Sequence, residues 1–241
     1  MKLVIMQPSY LPWLGYFDLF MESDLFLVYD NVQFDKDGWR NRNRIKTPNG
    51  PQWLTVPVLT KGMQRPTNGE IKINPHEPWA RKQLKSIEQN YRKAAYFEEI
   101  YPLLSQGLSQ PYERLIDLNM HFINAFNHVF NIQTPHQMVS EIKLDLPDGK
   151  NEKLVALCRY FGALEFYEPA GGQGYVDPAL FEKNGIRLTF QQYQHPVYPQ
   201  LYGDFVSHLS IIDLLFNCGP GSLEVIKKGN ACSRKRVPKQ P

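Results

Sequence analysis

Cysteine is scarce in this chain: Cys158, Cys218 and Cys232 are too few and too scattered among 241 residues for a disulfide framework. No C-x-x-C pair is present to hold zinc or to carry redox chemistry. Long hydrophobic runs are missing too. Leu209 to Phe216 falls well short of the roughly 20 residues of a membrane span, and Asp213 interrupts it, so no membrane span is expected. Between Lys2 and Pro8 there is no room for the apolar region of a secretory signal, which predicts a cytoplasmic compartment. The chain lacks G-x-x-x-x-G-K-[ST], G-x-G-x-x-G after its first strand, G-x-S-x-G and H-E-x-x-H, so P-loop phosphotransfer, ordinary dinucleotide binding, α/β-hydrolase chemistry and zincin hydrolysis lose support. The histidines at 76, 121, 128, 136, 195 and 208 form no i,i+3 or i,i+4 pair, so no metal site and no cofactor is evident.

Charge of one sign is absent from only one place. Residues 225–241 carry Lys227, Lys228, Arg234, Lys235, Arg236 and Lys239 and no acid, leaving 21 basic against 24 acidic residues in the body. A basic end of this kind reads as a solvated, disordered tail following a single domain over 1–224, and no DNA partner is expected.

What is present has the rhythm of an α/β fold. Leu3 to Gln7 and Leu25 to Tyr29 are short apolar runs with a helix-spaced segment, Trp13 to Glu22, between them, which predicts a β-α-β crossover. Residues 40–58 read as a β-hairpin turned at Asn49-Gly50, with Pro57 restricting its strand to an edge or bulge. Residues 79–130 read as three scaffold helices. Alternation then resumes: a strand near 138–140, a helix over 152–161, a strand over 164–167, a glycine-rich turn at 171–174, a helix near 178–183, a strand over 186–191 and a helix over 209–217 stopped by Gly219-Pro220. The expected fold is a mostly parallel, doubly wound Rossmann or HUP-like sheet with a β-hairpin and a helical insertion, and there is no internal repeat.

Open parallel sheets bind ligands outside the carboxyl ends of their strands. Those ends here carry Gln7, Ser9 and Tyr10, then Asp30, Asn31 and Gln33, then Ser140 and Glu141, then Glu168 and the glycines, then Gln191, Gln192, Tyr193 and His195. Gln7 must either satisfy itself on backbone or face a ligand. Period two puts Arg40, Arg42, Arg44 and Lys46 on one face of a strand and Asn41, Asn43 and Ile45 on the other. The arginines suit a phosphate or diphosphate, or else form a solvated face. His195, in Tyr193-Gln-His-Pro-Val-Tyr198, is placed as a general base. Asp213, with Ser210 and Asn217 a turn away, either orients His195 or caps a loop.

Six blocks resemble the WbqC-like protein family in order: Gln7-Pro-Ser-Tyr-Leu-Pro-Trp-Leu-Gly-Tyr-Phe17, Asp30-Asn-Val-Gln-Phe34, Trp39-Arg-Asn-Arg-Asn-Arg-Ile45, Leu54-Thr-Val-Pro-Val58, Tyr193 to Tyr198 and Leu209 to Asn217. The resemblance implies a transferase of O-antigen or other surface-polysaccharide biosynthesis, moving a glycyl or related acyl group onto the amine of a nucleotide-activated amino sugar. The arginines would then hold the diphosphate, with Gln7, Tyr10, Asp30, Asn31, Gln33, Asn41, Asn43, Tyr193, Tyr198 and Asn217 around the substrate, and His195 as base beside Asp213. The acyl donor would be an acyl-carrier-protein thioester or an aminoacyl-tRNA. Two alternatives stand beside this one. The N-terminus also resembles HUP-type nucleotidylyltransferases, although Trp13-Leu-Gly-Tyr16 stands where their two histidines would be. A non-catalytic nucleotide-sugar-binding subunit is the other.

Overall fold

Leu3, Val4 and Ile5 form the buried middle of strand β1 (Lys2–Met6), which ends before Pro8, a residue with no backbone donor to give. Helix α1 (Leu14–Glu22) buries Leu14 through Phe20, and β2 (Leu25–Val28) returns parallel to β1 in the register Leu3↔Leu25 to Met6↔Val28. The chain next forms a hairpin, β3 (Arg42–Thr47) with β4 (Gly50–Thr55). Pro48 and Asn49 are its loop residues, and the left-handed backbone falls on Gly50 (φ +99°) alone. A short pair, β5 (Val58–Leu59) with β6 (Lys72–Ile73), leads to helices α2 (Trp79–Tyr91), α3 (Phe97–Leu108) and α4 (Leu115–Val129). Then follow β7 (His136–Met138), α5 (Lys150–Tyr160), β8 (Glu165–Glu168), α6 (Pro178–Lys183), β9 (Arg187–Phe190), α7 (Ile211–Cys218) and α8 (Ser222–Arg234). The computed structural model describes residues 1–234, and of residues 231–234 the helical backbone alone.

Five strands make one all-parallel sheet in the order β7-β2-β1-β8-β9, the doubly wound arrangement expected of a Rossmann-like fold. Period two divides its side chains between two cores. Val4, Phe26, Val28 and Tyr167 face α1, α7 and the helical insertion, while Leu3, Ile5, Leu27 and Phe166 face α5 and α6. Phe20 of α1 stacks on Phe26 at 3.7 Å, and Phe166 on Phe181 at 5.1 Å. Each such ring contributes roughly 2–3 kcal/mol by leaving water. After β2 the chain continues to β7 on one side, and only later returns to β8 on the other side of β1. The switch point of the topology therefore lies between β1 and β8.

Two local expectations need correction. The strand near 138–140 ends at Met138, because the Ser140 backbone amide and hydroxyl both donate to the Asp30 carboxylate and draw residues 139–141 into a tight turn. Gly219 does stop α7, with φ +47° and the Tyr96 ring so close that any Cβ would collide with it. The chain then re-enters a helix. Residues 225–234, read from the sequence as the start of a tail, continue α8, because Ile226 is fully buried and Asn230 donates to Asp18 at 3.1 Å. Residues 235–241 lie outside the described residues. Among the described residues no helix is long and apolar enough to cross a membrane.

Candidate functional site

Where β1 and β8 part at their carboxyl ends, a crevice of about 520 Å³ opens. Its floor comes from Ile5 and Met6, its walls from Gln7, Tyr29, Val32, Gln33 and Arg40 on one side, and from Lys150, Leu154 and the Glu168–Gly172 turn with Tyr175 on the other. Glu168 is only 3% exposed at the last position of β8. Burial pushes its carboxyl up to about 7, and the Tyr175 hydroxyl, donating to Oε1 at 2.6 Å, opposes that rise. The glycine-rich turn wraps this carboxylate closely, since a Cβ on Gly172 would strike the Glu168 side chain.

Arg40 brings a cation to the same crevice. Its Nη1 makes a long bond to the Pro8 carbonyl (3.4 Å), and its Nε is sealed from water with no partner. Burial lowers its pKa, opposed by the nearby Tyr16 and Asp35. A partnerless buried guanidinium N–H is costly unless an anion completes it. Lys150, exposed at the first turn of α5, adds a second cation beside the free amides of a helix N-terminus. Gln7 accepts from the Asn68 amide at 3.0 Å, so it is half satisfied while lining the opening.

The other expected substrate residues divide into two sets. Asn31 and Gln33 are exposed after β2, and Gln33 reaches the crevice. Asp30 is instead spent on Ser140, and the buried Tyr10 hydroxyl donates to Gln83 at 2.6 Å. Asn41 donates to the Val56 carbonyl (2.9 Å), and Asn43 to the carbonyls of Tyr10 (3.2 Å) and Leu11 (2.7 Å). Both asparagines thus fasten β3 to its neighbours, Asn43 holding the turn in which Leu11 takes a left-handed φ of +41°. Arg42 and Arg44 stand outward over Trp53 and Trp39. Lys46 departs from that face: it is 2% exposed and its ammonium meets Gln200 and the carbonyls of 203 and 204.

His195 and Asp213 are not brought together. The His195 ring stacks on Trp13 at 6.0 Å, and Trp13 also stacks on His208 at 5.1 Å. The imidazole Nδ1 meets the Pro196 carbonyl at 3.0 Å, Nε2 is buried without a partner, and burial lowers the pKa. Asp213 is fully buried and accepts from the Tyr91 hydroxyl (2.7 Å), the Tyr198 hydroxyl (2.9 Å) and the Gln200 amide (2.9 Å). Burial raises its pKa against those bonds. Asn217 donates to the Asp213 carbonyl, and Tyr193 to that of Ile226. This is a structural polar knot behind α7, and neither His195 nor Asp213 lines the crevice. The strand-exit rule reaches Glu168 but assigns it no role. Its signal is a carboxylate closing an apolar strand directly before Pro169-Ala-Gly-Gly; Lys150 and Tyr175 carry no comparable signal.

Comparison with known proteins follows the same span. A family model described as the WbqC-like protein family matches residues 7–225. The uncharacterized protein Rv1507c of Mycobacterium tuberculosis is 40% identical over 220 residues, covering 90% of this chain and 94% of that protein. No solved structure matches the chain.

Proposed function

The chain belongs to the WbqC-like protein family, and from that premise we propose a transferase that acylates the amine of a nucleotide-activated amino sugar in the switch-point crevice, in the service of surface-polysaccharide biosynthesis. The observation that carries this reading is the pairing, in one crevice, of a buried carboxyl titrating near 7 with a guanidinium whose sealed N–H has no partner. Arg40 and Lys150 are the groups for the diphosphate, and Gln7 and Gln33 for hydroxyls. Glu168 takes the place first given to His195. The sugar amine attacks the acyl carbonyl carbon, a C–N bond forms, and the C–S or C–O bond to the donor breaks. The sugar ammonium gives one proton to solvent to become the attacking amine, and Glu168 receives the second proton, which nitrogen sheds as the C–N bond forms, and returns it to the leaving sulfur or oxygen.

Thermal shifts with dTDP- and UDP-linked amino sugars, their neutral-sugar analogues, free nucleotides and ATP test the binding half. A ligand at about 100 times its Kd adds roughly 2.7 kcal/mol. The amino sugars should stabilise the wild type and fail to stabilise Arg40→Ala. Glu168→Gln should bind normally and transfer roughly 100- to 10,000-fold more slowly, read by mass of the acylated sugar. Because the base must be ionised, the wild-type rate should climb as pH rises through about 7. Stabilisation by free nucleotides or ATP alone would replace this reading with a HUP-like nucleotide-binding role. Amino-sugar binding with no transfer would make the protein a binding subunit.

A further inference from the structure

The outward face of the hairpin carries aromatic and cationic side chains that the crevice does not use. Trp39 and Trp53 are 38% and 44% exposed, with rings 5.1 Å apart. The Arg42 guanidinium lies 4.7 Å over Trp53, and that of Arg44 lies 5.5 Å over Trp39 and 5.6 Å over Trp53. Arg42 is steered by the carbonyls of Gly38 and Asp37, and Arg44 by that of His208, while the Arg44 Nε has no partner. No salt bridge spends either charge among the described residues. Beyond Trp53 the face continues into a groove of about 250 Å³ between β4 and α2, lined by Trp79 and Lys82 with Glu77 as its one acid.

We propose that this face binds a single-stranded RNA end. The two indoles, tilted 41° to each other, cover the guanidiniums and leave them partly dry, so the surface offers cations held beside aromatic rings. Arg42 and Arg44 are two residues apart on a strand, about 6.6 Å, close to the separation of successive phosphates in an extended nucleic-acid strand. Bases stack on aromatic rings and on guanidinium planes while their phosphates pair with the cations; a neutral glycan, which can lay a sugar face on an indole, brings no anion, and a bare polyanion brings no ring. Trp39 directly precedes Arg40, so a strand lying on this face leads its terminus to the crevice. On the transferase reading, which this part alone rests on, that terminus carries the acyl ester and the donor is an aminoacyl-tRNA.

Fluorescence anisotropy with a short labelled single-stranded RNA tests the proposal, against the same RNA as a duplex, dextran sulfate, neutral dextran and an acyl carrier protein. The single strand should bind, and the others at least about tenfold more weakly. Trp53→Ala should weaken binding roughly 5- to 100-fold with an unchanged thermal midpoint, and Trp53→Phe should restore it. Arg42→Gln and Arg44→Gln should each flatten the dependence of log Kd on log salt. No binding of the single strand, equal binding of dextran sulfate, or binding of the carrier protein alone overturns the proposal. Nucleotide-sugar shifts on the same preparation keep the two readings apart: RNA binding without them leaves the face standing and removes the acceptor assignment, and the reverse pattern does the opposite.

Discussion

Glu168 ties the chemistry of the crevice to stability. Its folded-state pKa lies above the ordinary carboxylate value, so the folded state favours the proton. The resulting stabilisation is complete below about pH 4.5 and is withdrawn as pH rises through about 7. Glu168→Gln keeps an acceptor for Tyr175 and removes the titration. Relative to wild type it should therefore gain stability between about pH 5 and pH 8, by up to about 3 kcal/mol. Urea unfolding at both pH values checks this, and a pH-independent difference would put the carboxylate in water. Tyr175→Phe removes the bond that holds the pKa down, so the rise of rate with pH should move to higher pH. Single residues were also the hardest scale to read in advance. Asn41 and Asn43 resemble substrate ligands in sequence, because the carbonyls that claim them, Val56, Tyr10 and Leu11, become neighbours only in the fold. Glu168 reads in sequence only as one of several polar groups past a strand end, because its burial depends on Gly172 and Tyr175 folding over it.

Elements were far more legible, since period two and period 3.6 are local properties. The β-α-β start, the hairpin, the helical insertion and the later alternation all follow from apolar spacing, with errors at ends such as 138–141, where a long-range bond to Asp30 decides the outcome. What spacing does not carry is how elements are tied. Tyr91 of α2 accepts from the Lys46 amide of β3 at 2.9 Å and donates to Asp213 of α7 at 2.7 Å, joining three elements through one hydroxyl. Tyr91→Phe leaves a buried amide without its acceptor and a buried carboxylate with one donor fewer. The expected cost is about 1–3 kcal/mol, read as a lower urea midpoint with an unchanged slope. An unchanged midpoint would mean that water replaces the hydroxyl.

At the scale of the whole molecule, α8 closes the structure over α1. Ending the chain at 224 would expose the contacts of Ile226, remove the acceptor of Tyr193 and leave Asp18 with Gln191 but without Asn230 as a donor. A loss of about 2–4 kcal/mol is expected, seen as a thermal midpoint several degrees lower. An unchanged midpoint would show that α8 rests on the fold without supporting it. The order β7-β2-β1-β8-β9 has a further consequence for how the protein is made. β1 leaves the ribosome before the other strands of the sheet and gains β2 once α1 and residues 25–28 have followed, yet the strand on its other side begins only at Glu165. For most of synthesis one edge of β1 is unpaired, and the crevice lacks a wall. Any early domain-like intermediate is therefore empty of function, and its open edge is the place where a chaperone, or a second nascent chain, would be expected to bind.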